Sequence, residues 1–551
     1  MLEAFFDLQV PIFVARLIDE GIGGASRETI LHYCLLLIGM AALGLICSFT
    51  AQYFAARAAS ASAVRLRRDL YRKVLGMSYQ RLDESGVSTL ITRLTSDVNL
   101  VQNGVNMFLR LFLRSPFIVF GSVIMAFTVS ATAGLVFLVC VPILALIIML
   151  IMKRTSPLYR FVQEKLDGVT KLTRENLSGV RVVRAFGREA DEEKAFAASN
   201  GALFDAGMHA AKISAFMNPL TYVVVNLGIA AILIIGSRLI GSGSMLSGDV
   251  VALINYMSQI LVELVKLANL VVLLSRAYAG VKRIADVLDT DTAIPKLEKT
   301  EESDPETAIA FDHVSLRYQG AGEDSLTDIS FTVKAGETIG VIGGTGSGKT
   351  SLVNLIPRLY DATEGAVRIF GQDVKSLDSA DLRKSIAIVP QKSQLFLGSV
   401  RSNLLFGRED ASDEALWQAL EDAQAADFVR DKDGGLDAAV EQGGRNFSGG
   451  QKQRLAIARA LTVGAPILIL DDASSALDMA TDARLRAALK GMKNVTKVIV
   501  SQRTASLQSC DRILVMDDGR LAACGTHDEL LEASPVYREI HESQHRKGEA
   551  E

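Results

Sequence analysis

Long uncharged stretches dominate the first half of the chain and are absent from the second. Thr29 to Ala56 contains no Asp, Glu, Lys or Arg, enough for a bilayer span of about 20 residues. Ser115 to Met152 is also uncharged. At roughly 1.5 Å per residue it is too long for one crossing, so two helices are predicted, joined at Ser130-Ala-Thr-Ala-Gly134. Ile213 to Ser237 supplies another span. Val250 to Leu274 supplies a further one, interrupted by Glu263 and Lys266, and Met1 to Ile18 a short first one. Six helices are expected in all.

Two long polar stretches, Arg57 to Arg114 and Lys153 to Lys212, separate these runs and are rich in Arg and Lys. The external connections near Gly21–Arg27, Ser130–Gly134 and Gly241–Asp249 are short and poor in basic residues. That bias sets the long connections on the cytoplasmic side. Their acids, such as Asp69, Glu164 and Glu189, make them solvated helix faces rather than an RNA-binding surface. They are too long for plain loops. Helices are predicted to continue past the membrane and turn back at Ser78–Gly86 and Ala185–Asp191. Glu263 and Lys266 are three apart and can pair on one helix face, and Pro116, Pro142 and Pro219 are expected to kink their helices.

Asp289 to Glu306 is charged and contains proline, which marks an interdomain linker. From Ala308 short strands alternate with helices, implying a mainly parallel α/β core. Gly343-Gly-Thr-Gly-Ser-Gly-Lys-Thr350 follows the apolar run Glu337–Ile342 and leads into the helical pattern from Ser351 to Leu359. This is the strand–loop–helix setting of G-x-x-x-x-G-K-[ST]. Backbone N–H groups of Gly343, Gly344, Thr345, Gly346, Ser347 and Gly348 would turn onto a polyphosphate at a helix N-terminus. Lys349 would reach the outer phosphates and Thr350 would ligate Mg²⁺, with Ser351 following. The apolar strand Pro466–Leu470 ends in Asp471 and Asp472, where an acid that positions Mg²⁺ through water is expected. Lys497–Ser501 is a further core strand, leading to Gln502.

The chain has 551 residues, 49% hydrophobic, with a net charge of −4. It is too apolar for a purely soluble enzyme, and nothing in it suggests a nucleic-acid partner. The five cysteines are odd in number and lack any CxxC pair, so they are expected as free core thiols. Glu3 and Asp7 occupy the place of a basic signal-peptide start.

Over nearly its whole length the chain resembles a half-transporter of the ATP-binding cassette (ABC) exporter type. The fold class implied is an α-helical six-span transmembrane domain over residues 1–288, a linker over 289–306, and an α/β P-loop ATPase domain over 307–551. The resemblance rests on the phosphate loop and on Asn446-Phe-Ser-Gly-Gly-Gln-Lys-Gln-Arg454. In the family, the latter segment closes over the nucleotide held by the partner subunit. Ser448, Gly449 and Gly450 then give hydroxyl and backbone donors to the γ-phosphate, at the start of a helix that Gln451 begins. By the same resemblance, Tyr318 stacks on adenine. Gln391 senses Mg²⁺ and touches the coupling helices. Asp478, in Ser475-Ala-Leu-Asp478, acts across the dimer seam. Glu441–Gly444 contacts the membrane domain. Phe186 is the natural anchor for a short element that docks on a nucleotide domain.

The chain departs from the family pattern in three places. Asp472 stands where a Glu usually polarises the attacking water, its carboxylate drawn back by roughly 1.5 Å. Gln502 stands where the switch His is usual, and a Gln cannot be protonated. Before Phe6–Pro11 only a remnant of the usual first segment is present, so the first helix is expected to be truncated. An intact Phe447–Gln451 beside two altered positions resembles the degenerate-site subunit of heterodimeric exporters. The implied partners are a distinct half-transporter carrying the catalytic Glu and switch His, the lipid bilayer and a small amphipathic or drug-like substrate. ATP and Mg²⁺ are the implied cofactors, and a bacterial plasma membrane the implied location. The rivals are a homodimeric exporter, an importer of metal chelates on the same fold, and an ATP-gated regulatory protein.

Overall fold

The structure, a computed structural model, describes residues 1–24, 26–290 and 303–545. It divides into two compact units. The first comprises Met1–Leu75 and Ser88–Thr290; the second comprises Gly76–Val87 and Asp291–Glu551. Residues 291–302, the bulk of the expected linker, lie outside the described residues.

The first unit is entirely helical. Among the described residues, five helical stretches are long and apolar enough to cross a membrane: Arg27–Leu75, Val87–Val129, Ala131–Ser178, Glu189–Gly241 and Ser247–Leu288. The first helix, Leu2–Arg16, continues as a π turn over Leu17–Ile22. The 49 residues of Arg27–Leu75 extend roughly 74 Å at 1.5 Å per residue. That far exceeds a hydrocarbon core of about 30 Å, so the helix continues into the polar connection, as its sequence leads one to expect.

Ser130 alone, in extended conformation, separates Arg114–Val129 from Ala131–Ser178, and its hydroxyl caps Ala133 N–H. The turn is thus one residue, and Ala131–Gly134 already belong to the next helix. Two of the three prolines break their helices. The ladders stop at Leu111 and Ala215, at or next to the residue four before Pro116 and Pro219, where the ring meets the carbonyl of residue i−4. Pro142 lies in a helix that continues without interruption.

Close packing comes from small residues. Ala55, Ala59 and Ala63 are buried at four-residue spacing on one helix, a pattern that lets helices approach closely in lipid. A Cβ on Gly104 would stand 2.3 Å from the Ala277 Cβ, so only glycine fits there. Polar ties fix the first helix to Ser247–Leu288: the buried Tyr256 hydroxyl donates to Leu8 O at 2.6 Å, and Gly248 N–H donates to Asp19 at 2.8 Å.

In the second unit, strands β1 (Thr307–Leu316), β2 (Leu326–Lys334), β3 (Thr338–Gly343), β4 (Glu364–Ile369), β5 (Gln372–Asp373), β6 (Ile386–Val389), β7 (Gly398–Ser399), β8 (Ala439–Val440), β9 (Ile467–Asp471), β10 (Thr496–Val500), β11 (Arg512–Asp517) and β12 (Arg520–Gly525) form three sheets. The central sheet has the order β12-β11-β3-β10-β9-β6. It is parallel from β11 to β6, with β12 antiparallel at the edge. β9 is buried throughout, as expected of a strand covered on both faces. An antiparallel sheet, β2-β1-β4-β5, lies beside it.

The cysteines are free, but only Cys140 and Cys510 are buried. The expectation of core thiols fails for Cys524, which is exposed, and for Cys34 and Cys47, which are half-buried.

Candidate active site

β3 delivers the chain into the phosphate loop, and the helix Lys349–Leu355 leaves it. This helix starts two residues before Ser351 and ends before Pro357. A Cβ on Gly343 would lie 2.2 Å from Met516 O, and Gly348 turns with φ +92, so the loop needs glycine at both places. Lys349 is 9% exposed. Its ammonium donates to Gly343 O at 3.0 Å, Gly344 O at 2.6 Å and Ser347 Oγ at 3.3 Å. Burial pushes this ammonium below its ordinary pKa, against the opposing pull of Asp472 and Asp471.

β9 ends at the second half of the site. Thr350 Oγ1 donates to Asp471 Oδ1 at 3.3 Å. Burial raises the Asp471 carboxyl, as does the neighbouring Asp472 charge, while Thr350 and Lys349 oppose this. Asp472 has φ +50, a left-handed conformation that aspartate tolerates better than most residues. Burial raises its carboxyl too, with Gln391, Lys349 and Arg503 opposing. Two adjacent acids and one lysine in a partly dry site give a hard-oxygen environment with a net negative charge.

One cavity of about 730 Å³ is lined by Thr345, Gly346, Gly348, Lys349, Thr350, Ser351, Gln391 and Gln502, with Ala321–Ser325, Asp518 and Gly519 completing the wall. Ser448, Gly449, Gly450, Gln451 and Asp478 are not among its lining residues. Tyr318 lies close by, its hydroxyl 3.0 Å from Ser351 Oγ and its ring edge-on to Tyr360.

The signature segment starts its helix earlier than expected. Gly449–Val463 is helical and Ser448 is the N-cap: its hydroxyl accepts from Gln451 N–H at 3.3 Å, and Gln451 accepts from Ser448 N–H at 3.0 Å. That reciprocal pair is a capping box. Ser448 and Gly449 are exposed, which leaves this helix start open to an anion brought from outside the chain. Asp478 likewise caps its helix, accepting from Thr481 N–H at 2.9 Å. That bond, to backbone and side chain of Thr481, holds its carboxyl below the usual range.

Sequence reasoning missed several supports. Gln453, 3% exposed, donates to Asp472 O and accepts from Ala476 N–H, each at 3.1 Å, tying the helix Gly449–Val463 to the turn that follows β9. Ser-x-x-Gln at 448–451 was a readable cap, but nothing local marks Gln453. The short helix Tyr79–Ser85, capped by Ser78, belongs to the nucleotide unit. It lies where a turn was expected and meets Tyr360 and Gln319. Between the other helix pair the turn is Phe186–Arg188, after the short helix Val180–Ala185, and Phe186 is 76% exposed.

The membrane unit has its own cavity, of about 560 Å³. Lys266 pairs with Glu263 at 2.8 Å as expected. The rest of the cluster comes from other helices. Arg114 meets Asp7 at 2.9 Å and Glu3 and Glu263 at 3.4 Å each, and Ser115 donates to Glu263 at 2.6 Å. Val10, Pro11, Val14, Ile118 and Val262 line the same cavity.

The first 264 residues match the family model described as the ABC transporter transmembrane region, and residues 326–475 match that described as ABC transporter. The chain is 36% identical over 542 residues to the ABC transporter ATP-binding protein YfiB of Bacillus subtilis, covering 98% of this chain and 94% of that protein. It is 30% identical over 546 residues to the ATP-dependent lipid A-core flippase of Escherichia coli, covering 99% and 94%. In fold it is similar to a bacterial Atm1-family ABC exporter with ATP bound, with a TM-score of 0.82 at 23% identity over 98% of this chain and 96% of that one. A membrane region and an ATPase region joined in one polypeptide, with relatives alike over almost their full length, place this chain in the ABC transporter family, as a multi-pass membrane half-transporter whose cytoplasmic ATPase domain couples ATP hydrolysis to transport.

Proposed function

We propose that this chain pairs with a second, distinct ABC half-transporter to export small amphipathic compounds, and that its own ATP site turns over slowly. The observation that carries this reading is the pairing of Asp472 and Gln502 in a site otherwise built for ATP. Asp472 stands at the end of β9 beside Lys349, and Gln502 lines the same cavity. The shorter carboxylate reaches less far toward an attacking water, and a base must come within about 2.6–3.2 Å of the proton it takes. Gln502 can hydrogen-bond a γ-phosphate but cannot bring positive charge to it.

The exposed Ser448–Gln451 helix start lies outside this cavity, which supports its completing the partner's site, with Asp478 also acting across the seam. Mg²⁺ fits the oxygens gathered here: Thr350 and Asp471 are in contact, and Gln391 adds an amide oxygen beside them. When bound, the ion neutralises phosphate charge. The chain's own residues hold the phosphates through loop N–H groups and Lys349, and Asp472 orients water.

An amphipathic cargo is supported by the membrane cavity, whose lining combines Arg114, Glu263 and Lys266 with apolar residues such as Val10, Val14 and Ile118. Ionisable residues at membrane depth usually face an interior or an aqueous cavity. The Escherichia coli relative is by name a flippase of lipid A-core, itself an amphiphile.

Gentle purification of the tagged chain from its native membrane, followed by mass spectrometry, tests the reading. A second half-transporter bearing Glu and His at the equivalents of Asp472 and Gln502 is expected. Recovery as a self-dimer that hydrolyses ATP and exports amphiphiles unaided would overturn it. A second reading, the homodimer, is favoured by the raised Asp472 carboxyl, which is a better base than an ordinary aspartate.

A further inference from the structure

Gln502 lines the cavity and is exposed, and its backbone is held from the far end of the chain. Gln544, near the end of the last helix, Pro535–His545, donates its amide Nε2 to Gln502 O at 2.7 Å. The same side chain accepts from Thr504 N–H at 3.0 Å and from Thr504 Oγ1 at 3.2 Å. Thr504 is fully buried and begins the short helix that follows the switch. His541, one turn earlier, places Nδ1 3.1 Å from the same hydroxyl. One amide therefore bridges both ends of the segment 502–504.

The helix that carries Gln544 is itself anchored. Tyr537 is fully buried, its hydroxyl 2.7 Å from His527 Nδ1. Its ring shares a core with Leu507, after the switch, and with Ile342, on the strand that feeds the phosphate loop. The brace thus refers the switch to the framework that holds the phosphates.

We propose that Gln544 is a positioning residue for the ATPase reaction: the last helix sets the reach of Gln502 toward the γ-phosphate through the Gln544 amide. Gln502 carries no charge, so its contribution depends on geometry alone, and a loop free to shift by an ångström would lose it.

The test is a binding ratio, which does not depend on how fast this site hydrolyses. Fluorescent ATP and ADP analogues are titrated onto the intact purified transporter. In Gln544→Ala the preference for ATP over ADP is expected to fall about three- to tenfold, the worth of the one bond to Gln502 O. In a Gln502→Ala background the same substitution is expected to change nothing further, because its effect runs through Gln502. Gln544→Glu keeps the acceptor for Thr504 but loses the donor to Gln502 O, and is expected to lower the ratio like Ala. Gln544 is only half-buried and the anchoring Tyr537 is untouched, so the variants retain the fold, which the unchanged melting temperature checks. An unaltered ratio in folded Gln544→Ala, a wild-type ratio in Gln544→Glu, or additive losses in the double variant would each overturn the proposal.

Discussion

Tyr360 donates its hydroxyl to the Asp83 carboxylate at 2.6 Å. The two residues are 277 apart in sequence and belong to one compact unit. Tyr360 also meets the rings of Tyr79, at 6.3 Å, and Tyr318, at 5.1 Å, and burial together with Asp83 pushes its phenol pKa up. The helix Tyr79–Ser85 lies between two membrane-unit segments in sequence, and on that connectivity the Tyr360–Asp83 bond is predicted to couple ATP use to transport. Tyr360→Phe keeps the ring contacts and removes only the hydroxyl. Basal ATPase is expected within about twofold of wild type, while substrate stimulation and transport fall about three- to tenfold. Equal stimulation in the variant, measured in proteoliposomes, would count against this coupling route.

The altered pair at the nucleotide site makes a second prediction. Asp472→Glu with Gln502→His is expected to raise ATP turnover about 10- to 100-fold, within the range a positioned base supplies. The gain requires a competent signature on the other subunit. A double variant no faster than wild type, in a complex whose partner has an intact signature, would show that something other than these two side chains limits the site.

Much of this architecture was legible because the physics behind it is local. A span must be one unbroken apolar helix, and a phosphate cradle must be one glycine-rich loop, so each is written in consecutive residues. The break at Ser130 and the proline interruptions before Pro116 and Pro219 were readable for the same reason. The Glu263–Lys266 pair was visible from its spacing, but Arg114, 149 residues away, was not, since no periodicity links residues on separate helices. Gly76–Val87 grouping with the nucleotide unit, Gln453 tying the signature helix to Asp472, and Gln544 reaching back to Gln502 share that character. The helix start at Gly449 is local information too, since Ser448 and Gln451 spell a capping box.

Asp472 also predicts a pH dependence of stability. Burial raises its carboxyl in the folded protein above the ordinary value of about 3.9. The folded state therefore binds this proton more tightly than the unfolded state does. The stabilisation is fully present below the unfolded pKa and is lost as pH rises through the folded one. At neutral pH the ionised group is a net cost. Asp472→Asn is expected to melt about 1–3 °C higher than wild type near pH 7.5, with the gap closing toward pH 4. Melting curves in detergent across that range check it, and a gap that widens on acidification would contradict the sign.

The exposed signature helix makes the last prediction, which separates the role of this chain's signature from that of its own phosphate loop. Gly449 is exposed, and an added Cβ there meets nothing within 4 Å, so Gly449→Asp leaves the fold of this unit intact. Its carboxylate would face any anion brought to the N-terminus of Gly449–Val463, where negative charge is otherwise favoured. If Ser448–Gln451 completes a site on the partner subunit, this substitution, made together with Ser448→Ala, abolishes hydrolysis by the complex, by at least about 100-fold. Nucleotide affinity at this chain's own loop stays within about twofold, because the signature does not line that cavity. Lys349→Ala is expected to do the reverse, weakening nucleotide binding here about 10- to 100-fold, the worth of a charge-assisted contact of 1.5–3 kcal/mol, with hydrolysis at the partner site largely kept. Photo-labelling with an azido-ATP analogue, scored subunit by subunit alongside phosphate release, distinguishes the two. Loss of labelling on this chain in the signature variant would mean that Ser448–Gln451 serves its own nucleotide.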